Sequence, residues 1–141
     1  MLTASRSLLP SRSSNKFPTK PRGFRVDVEY PYRPLPENEL WGADLVCIAE
    51  SRHVQFEKWL IGSPELVIEV KSPSNTKAEL HDKAMTTLAS AGSVEFWVLD
   101  GKTRSVTVYS AAGMRVYEGD AVVPLPFGDQ IRLAERFAEL E

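Results

Sequence analysis

Glu69 and Lys71 stand two residues apart at the end of an apolar, β-branched run, Leu66-Val67-Ile68-Glu69-Val70-Lys71, which Pro73 then stops. Alternate side chains of a strand point to opposite faces, so the acid and the base share one face while Ile68 and Val70 take the other. Ionised groups are costly to bury unless they are paired or bound to a metal. Two readings meet that condition: a metal-binding carboxylate beside a lysine that positions or deprotonates a water, or an ion pair at a strand end. A second short apolar strand, Trp41 to Ala49, opens with Asp44. Paired antiparallel with the Glu69 strand through the intervening loop, it sets Asp44 against Glu69 and Lys71.

The surrounding elements follow from periodicity. Phe24, Val26, Val28 and Tyr30 alternate with Arg25, Asp27 and Glu29, which predicts a strand with one wet face at a sheet edge. Pro31, Pro34 and Pro36 form an extended connector to the Asp44 strand. The polar loop between Glu50 and Gly62 holds Arg52, His53, Phe56, Lys58 and Trp59. That mixture either stacks a base and holds a phosphate, with Arg52, His53 and Lys58 as the substrate-binding candidates, or covers the core with its two aromatics. Thr76 and Glu79 make a capping box, and the stripe Leu80, Ala84, Leu88, Ala91 predicts a helix from Lys77 to Ala91 closed by Gly92. With the strand Val94 to Leu99 it completes a parallel strand-helix-strand unit. Lys83 lies opposite the apolar stripe or on its border, either paired with Glu79 one turn away or leaning toward the acids. Arg104 to Ser110 and Met114 to Glu118 read as a hairpin, and Arg132 to Leu140 as a short amphipathic helix.

The 141 residues suit one domain, and 43% hydrophobic with 26% charged residues is an ordinary globular balance. No apolar run approaches the roughly 18 residues of a membrane span, so a membrane partner is not expected. Cys47 is the sole cysteine and sits in an apolar strand, which suits a reducing, cytoplasmic setting. Zinc and nucleotide-loop chemistry lack their ligands and glycines. The net charge of −2 divides unevenly: residues 1–23 form a flexible arm with five basic residues, five serines and no acid, followed by an acidic body over residues 24–141. The arm reads as a leader, a nucleic-acid tether or a transit peptide.

Four blocks in order carry a resemblance: Ala43-Asp44-Leu45-Val46; Pro64-Glu65-Leu66-Val67-Ile68-Glu69-Val70 with Ser72-Pro73-Ser74; Asp82-Lys83; and Ala91-Gly92-Ser93-Val94-Glu95-Phe96-Trp97-Val98-Leu99-Asp100. From about Phe24 to about Leu140 the sequence resembles the putative restriction endonuclease (Uma) family of the PD-(D/E)XK nuclease superfamily. The resemblance implies an α/β, restriction-endonuclease-like domain: a mixed central β-sheet, one crossover helix and a short C-terminal helix. It implies a metal-dependent nuclease acting on nucleic acid, DNA first, with Asp44, Glu69 and the Val70 carbonyl as ligands of Mg²⁺ or Mn²⁺. Lys71 is then the catalytic lysine and Lys83 an auxiliary one. Departures are Ala43 where the family has proline, Leu88 where it has an aromatic residue, and an amino-terminal region that reads as shortened, with no acid before Asp27. A shortened edge calls for cover, which a homodimer supplies. The alternative is a nuclease-derived module that binds nucleic acid or dimerises without cutting.

Overall fold

Runs rich in β-branched and aromatic side chains become strands, nine of them among the residues that the computed structural model describes, 23–37, 39–53 and 60–138. In chain order they are β1 (Phe24–Arg33), β2 (Trp41–Ala49), β3 (Leu60–Ile61), β4 (Leu66–Val70), β5 (Glu95–Asp100), β6 (Ser105–Ser110), β7 (Gly113–Glu118), β8 (Val122–Pro124) and β9 (Gln130–Arg132). The first seven form one mixed sheet in the order β3-β1-β2-β4-β5-β6-β7. β2 runs antiparallel to β4, with Leu45 opposite Ile68 and Val46 opposite Val67, and one further step along this register sets Asp44 opposite Glu69. β4 and β5 are parallel neighbours, joined through α1 (Lys77–Leu88) as the sequence predicts.

Two apolar layers flank the sheet. Leu80 and Ala84 of α1 pack on Tyr30, Tyr32, Val46, Ile48, Val67, Phe96 and Val98. On the opposite face Leu45, Cys47, Leu66, Ile68 and Trp97 meet Val123, Leu125, Ile131 and Leu133, contributed by the β8–β9 ribbon and by α2 (Leu133–Ala138). Cys47 is fully buried and in no disulfide. No helix among the described residues is long and apolar enough to cross a membrane.

The structure departs from simple alternation at one place that matters. Val26 and Leu45 pack on the ribbon side, yet Tyr30, Tyr32 and Ala43 pack on the α1 side. Both strands therefore change face at Glu29 and Asp44, the single step missing from a register that runs Val28 to Leu45 and then Tyr30 to Ala43. Glu29 takes a left-handed backbone with φ 50°, a conformation that L residues seldom adopt outside turns and bulges. The predicted one-sided wet face of β1 therefore does not run through the strand: Val28 is 49% exposed, and the buried residues are Tyr30 and Tyr32 beyond the break.

The helix also ends sooner than its apolar stripe suggests. Ala89 N–H still donates to Met85, but Ser90 donates to the Thr87 carbonyl from both its N–H and its hydroxyl. The Ala91 carbonyl accepts from Ser63 instead, and Gly92 turns the chain at φ +93°. The buried stripe is Leu80, Ala84 and Thr87, with Leu88 only half-buried. β3 and the β8–β9 ribbon were too short to carry a sequence signal.

Candidate active site

Asp44 and Glu69 face each other on the α1 side of the sheet because Asp44 follows the alternation of Val46 and Leu45, and Glu69 that of Val67 and Ile68. The Asp44 Oδ2 accepts a hydrogen bond from the Val70 N–H at 2.8 Å, which fixes the aspartate across the end of β4. Glu69 is buried, with 8% of its surface exposed. Its Oε2 lies 2.8 Å from the Lys83 Nζ. The same ammonium donates to the Gly42 carbonyl at 3.0 Å and stands 5.7 Å from the centre of the Trp41 ring, within cation–π range.

Burial raises the Glu69 carboxyl from its ordinary 4.5 to about 7; the Lys83 charge pulls it down, while Asp44 pushes it up by repulsion and by a hydrogen bond. The balance is physical. Lys83 contacts Glu69, while the largest effect is burial, which disfavours the charged carboxylate, and the neighbouring Asp44 adds to it. The Tyr32 hydroxyl, fully buried, donates to or accepts from Thr87 Oγ1 at 2.9 Å. Its pKa is raised well above the usual range, first by burial and further by the nearby Glu69 charge, with the Thr87 hydrogen bond acting the other way.

The candidates from sequence separate into two groups. Asp44, Glu69, Val70 and Lys83 meet at one end of the β2–β4 pair. Lys71 follows directly, its N–H bonded to the Leu99 carbonyl, and its side chain lines a groove of about 310 Å³ beside α1 rather than the carboxylate pair. Lys83 leans to the acids, while Glu79 closes the capping box with Thr76. Arg52 lies at the far end of β4: its Nη1 is 3.0 Å from Glu65 and its Nη2 donates to the Ser63 carbonyl at 2.7 Å. Glu65 also accepts from Ala49 N–H. His53 Nδ1 is 3.1 Å from the Tyr30 hydroxyl. Arg52 and His53 thus tie the loop to the frame. Lys58, with Phe56 and Trp59, lies outside the described residues.

The donors suit a hard cation. Among the described residues no group of three or more His, Cys, Asp and Glu could hold a metal, so an ion here would rest on the two carboxylates and otherwise on water and backbone oxygens. That donor set matches a hard ion that keeps several waters.

A family model described as a putative restriction endonuclease, Uma2, matches residues 15–141. No curated protein matches the chain. Among solved structures, the chain is similar to the crystal structure of a putative nuclease belonging to DUF820 from Anabaena variabilis ATCC 29413. The TM-score is 0.72 at 20% identity, over 85% of this chain and 71% of that one. At that identity the likeness speaks for the fold: a mixed sheet with one main helix and a short carboxy-terminal helix. Since the family match takes in nearly the whole chain, with the Asp44, Glu69 and Lys83 elements inside it, the protein belongs to the Uma2 putative restriction endonuclease family.

Proposed function

We propose that this protein is a divalent-metal-dependent nuclease that hydrolyses phosphodiester bonds of nucleic acid, DNA in the first place. The observation that carries the reading is the facing Asp44 and Glu69 carboxylates, of which Glu69 is buried and has its pKa raised to about 7. Asp44, Glu69 and the Val70 carbonyl would hold Mg²⁺ or Mn²⁺. Bound there, the ion would supply Lewis acidity and a more acidic water. Val70 N–H keeps the Asp44 carboxylate aimed across the strand end. Lys83 keeps Glu69 oriented, and its charge favours the ionised form that a cation needs. Lys71, whose side chain lines the groove beside α1, would take up charge developing on the phosphate. A cytoplasmic homodimer fits the chain: Cys47 is buried and in no disulfide, and Val28 and Ile61, near the β1–β3 edge, are 49% and 50% exposed.

One observation favours a second reading. The Lys83 ammonium already satisfies Glu69 and Gly42, as it would in a purely structural cluster of a binding or dimerisation module. A plasmid-nicking assay with Mg²⁺ and Mn²⁺, run beside thermal melts, separates the two. In a nuclease Lys71→Ala lowers cleavage and leaves metal binding nearly intact, whereas Asp44→Asn or Glu69→Gln weakens both. Absence of nicking by the wild type with either metal, together with variants that only lower the melting temperature, would establish the structural reading.

A further inference from the structure

The sheet continues past the carboxylate pair as an ordered surface. Opposite Glu69 on β5 is Val98, opposite Val98 on β6 is Thr107, and opposite Thr107 on β7 is Val116. This row lies on the α1 side and spans three strand spacings, roughly 14 Å at about 4.8 Å each. It ends at the open edge of the sheet, since β7 is the last strand. With Leu80 of α1 as a wall, the row forms the floor of the groove of about 310 Å³. Lys71 and Lys77 line the same groove. Asp100 and Glu118 line it too; Asp100 already accepts from the N–H groups of Lys102 and Thr103, and Glu118 stands at the exposed end of β7. Val116 is 50% exposed, an unusual state for valine in a strand so close to the core.

Resting on the nuclease reading above, we propose that this groove seats one unpaired nucleotide of the substrate beside the scissile bond. The base lies on Leu80, Val98 and Val116 with its edge toward the Thr107 hydroxyl, and the phosphate lies toward Lys71 and Lys77. The substrate is therefore single-stranded or locally opened nucleic acid. Size and chemistry select this occupant. A groove of this volume is at the small end of ligand sites and takes a single nucleotide, not a duplex. Its apolar floor suits the face of any base, and its two lysines suit a phosphate.

The test is fluorescence anisotropy on the full chain without divalent metal, so that no cleavage intervenes. The probe is a labelled single strand of about ten nucleotides, compared with the same sequence as a blunt duplex. The single strand should bind more tightly than the duplex. Val116→Glu, at an exposed edge position, should weaken single-strand binding roughly tenfold. Lys77→Gln should weaken it and reduce the slope of log affinity against log salt by about 0.7. Equal binding of the duplex, or unaltered single-strand binding by both variants, would overturn the proposal. So would a changed sedimentation mass of Val116→Glu with unaltered binding, which would assign the groove to a second copy of the chain. The nicking assay stands apart from this one. Oligonucleotide binding that responds as stated in a protein that never nicks upholds the groove and removes the nuclease, and nicking with indifferent variants does the reverse.

Discussion

Replacing Glu69 by glutamine keeps the shape of the side chain and removes its proton equilibrium, which makes its raised pKa measurable. Glu69 holds its proton more tightly in the fold than in the unfolded chain, with its pKa raised from 4.5 to about 7. Between those values the folded state carries the extra proton, so the glutamate's contribution is full below about pH 4.5, falls as pH rises through the window, and levels off above about 7. A shift of about 2.5 units amounts to about 3 kcal/mol. In a domain of this size that is roughly 10 °C of melting temperature. Wild type should therefore lose about that much relative to Glu69→Gln between acid and mildly alkaline pH. The Lys83 ion pair needs no separate offset, because its pull on the ionised carboxylate is already part of the Glu69 shift.

A divalent ion should reverse the deficit. At about a hundred times its Kd, Mg²⁺ would add about 2.7 kcal/mol to the wild type. The gain should be largest above pH 7 and fade in acid, where protons compete for the same oxygens. Glu69→Gln should gain much less. Differential scanning calorimetry of both proteins across pH, with and without Mg²⁺ or Mn²⁺, reads all of this. A wild-type-minus-variant difference that stays flat with pH would refute the claim that Glu69 is a buried acid under repulsion from Asp44. A normal pH slope with no metal response would retain the electrostatics and remove the cation.

Two further outcomes probe the frame. Gly92→Ala should destabilise by about 2–3 kcal/mol in urea unfolding, because Gly92 sits at φ +93° and an added Cβ would meet the Arg52 guanidinium. Unchanged stability would mean that the Arg52–Glu65 bridge gives way freely and does not brace the loop. Cys47 is 0% exposed between β1 and β4, so a thiol reagent should label it only as fast as the protein unfolds; rapid labelling of the native protein would contradict the burial of β2.

What could be read from the sequence was what depends on period and order. The opposition of Asp44 and Glu69 followed from pairing two apolar runs antiparallel, and the structure has that register. The capping box of Thr76 and Glu79 is present as spelled. What escaped were contacts made by reach across layers. Lys83 bridges from helix to sheet, and helix periodicity places it only on a border, with a solvated pair to Glu79 equally consistent. The change of face at Glu29 and Asp44 carries no composition signal, since neither residue is a glycine or proline. The Arg52–Glu65 pair joins residues in a loop and at a strand entry, where neither periodicity applies. Glu65, which braces the far end of β4, could have been suspected only as an acid beside a strand start.

The placement of the two lysines explains the charge order of this face. Lys83 contacts Glu69 directly and offsets one of two carboxylates, so the point opposite Asp44 remains negative and would attract a cation rather than a phosphate. Lys71 lies on the same side of the sheet but one register step beyond Val70, outside that contact, and its charge faces the groove with Lys77. A polyanion approaching the bare carboxylates would be repelled; one approaching along the groove meets Lys71 and Lys77 beside Asp100 and Glu118, a balanced lining. Exchanging the positions would fail on either count, since an ammonium from Lys71 against Glu69 would compete with a metal and leave the groove without its charge. The register of β2 on β4 and the border position of Lys83 on α1 are therefore what would let a single sheet face hold a cation and a phosphate side by side.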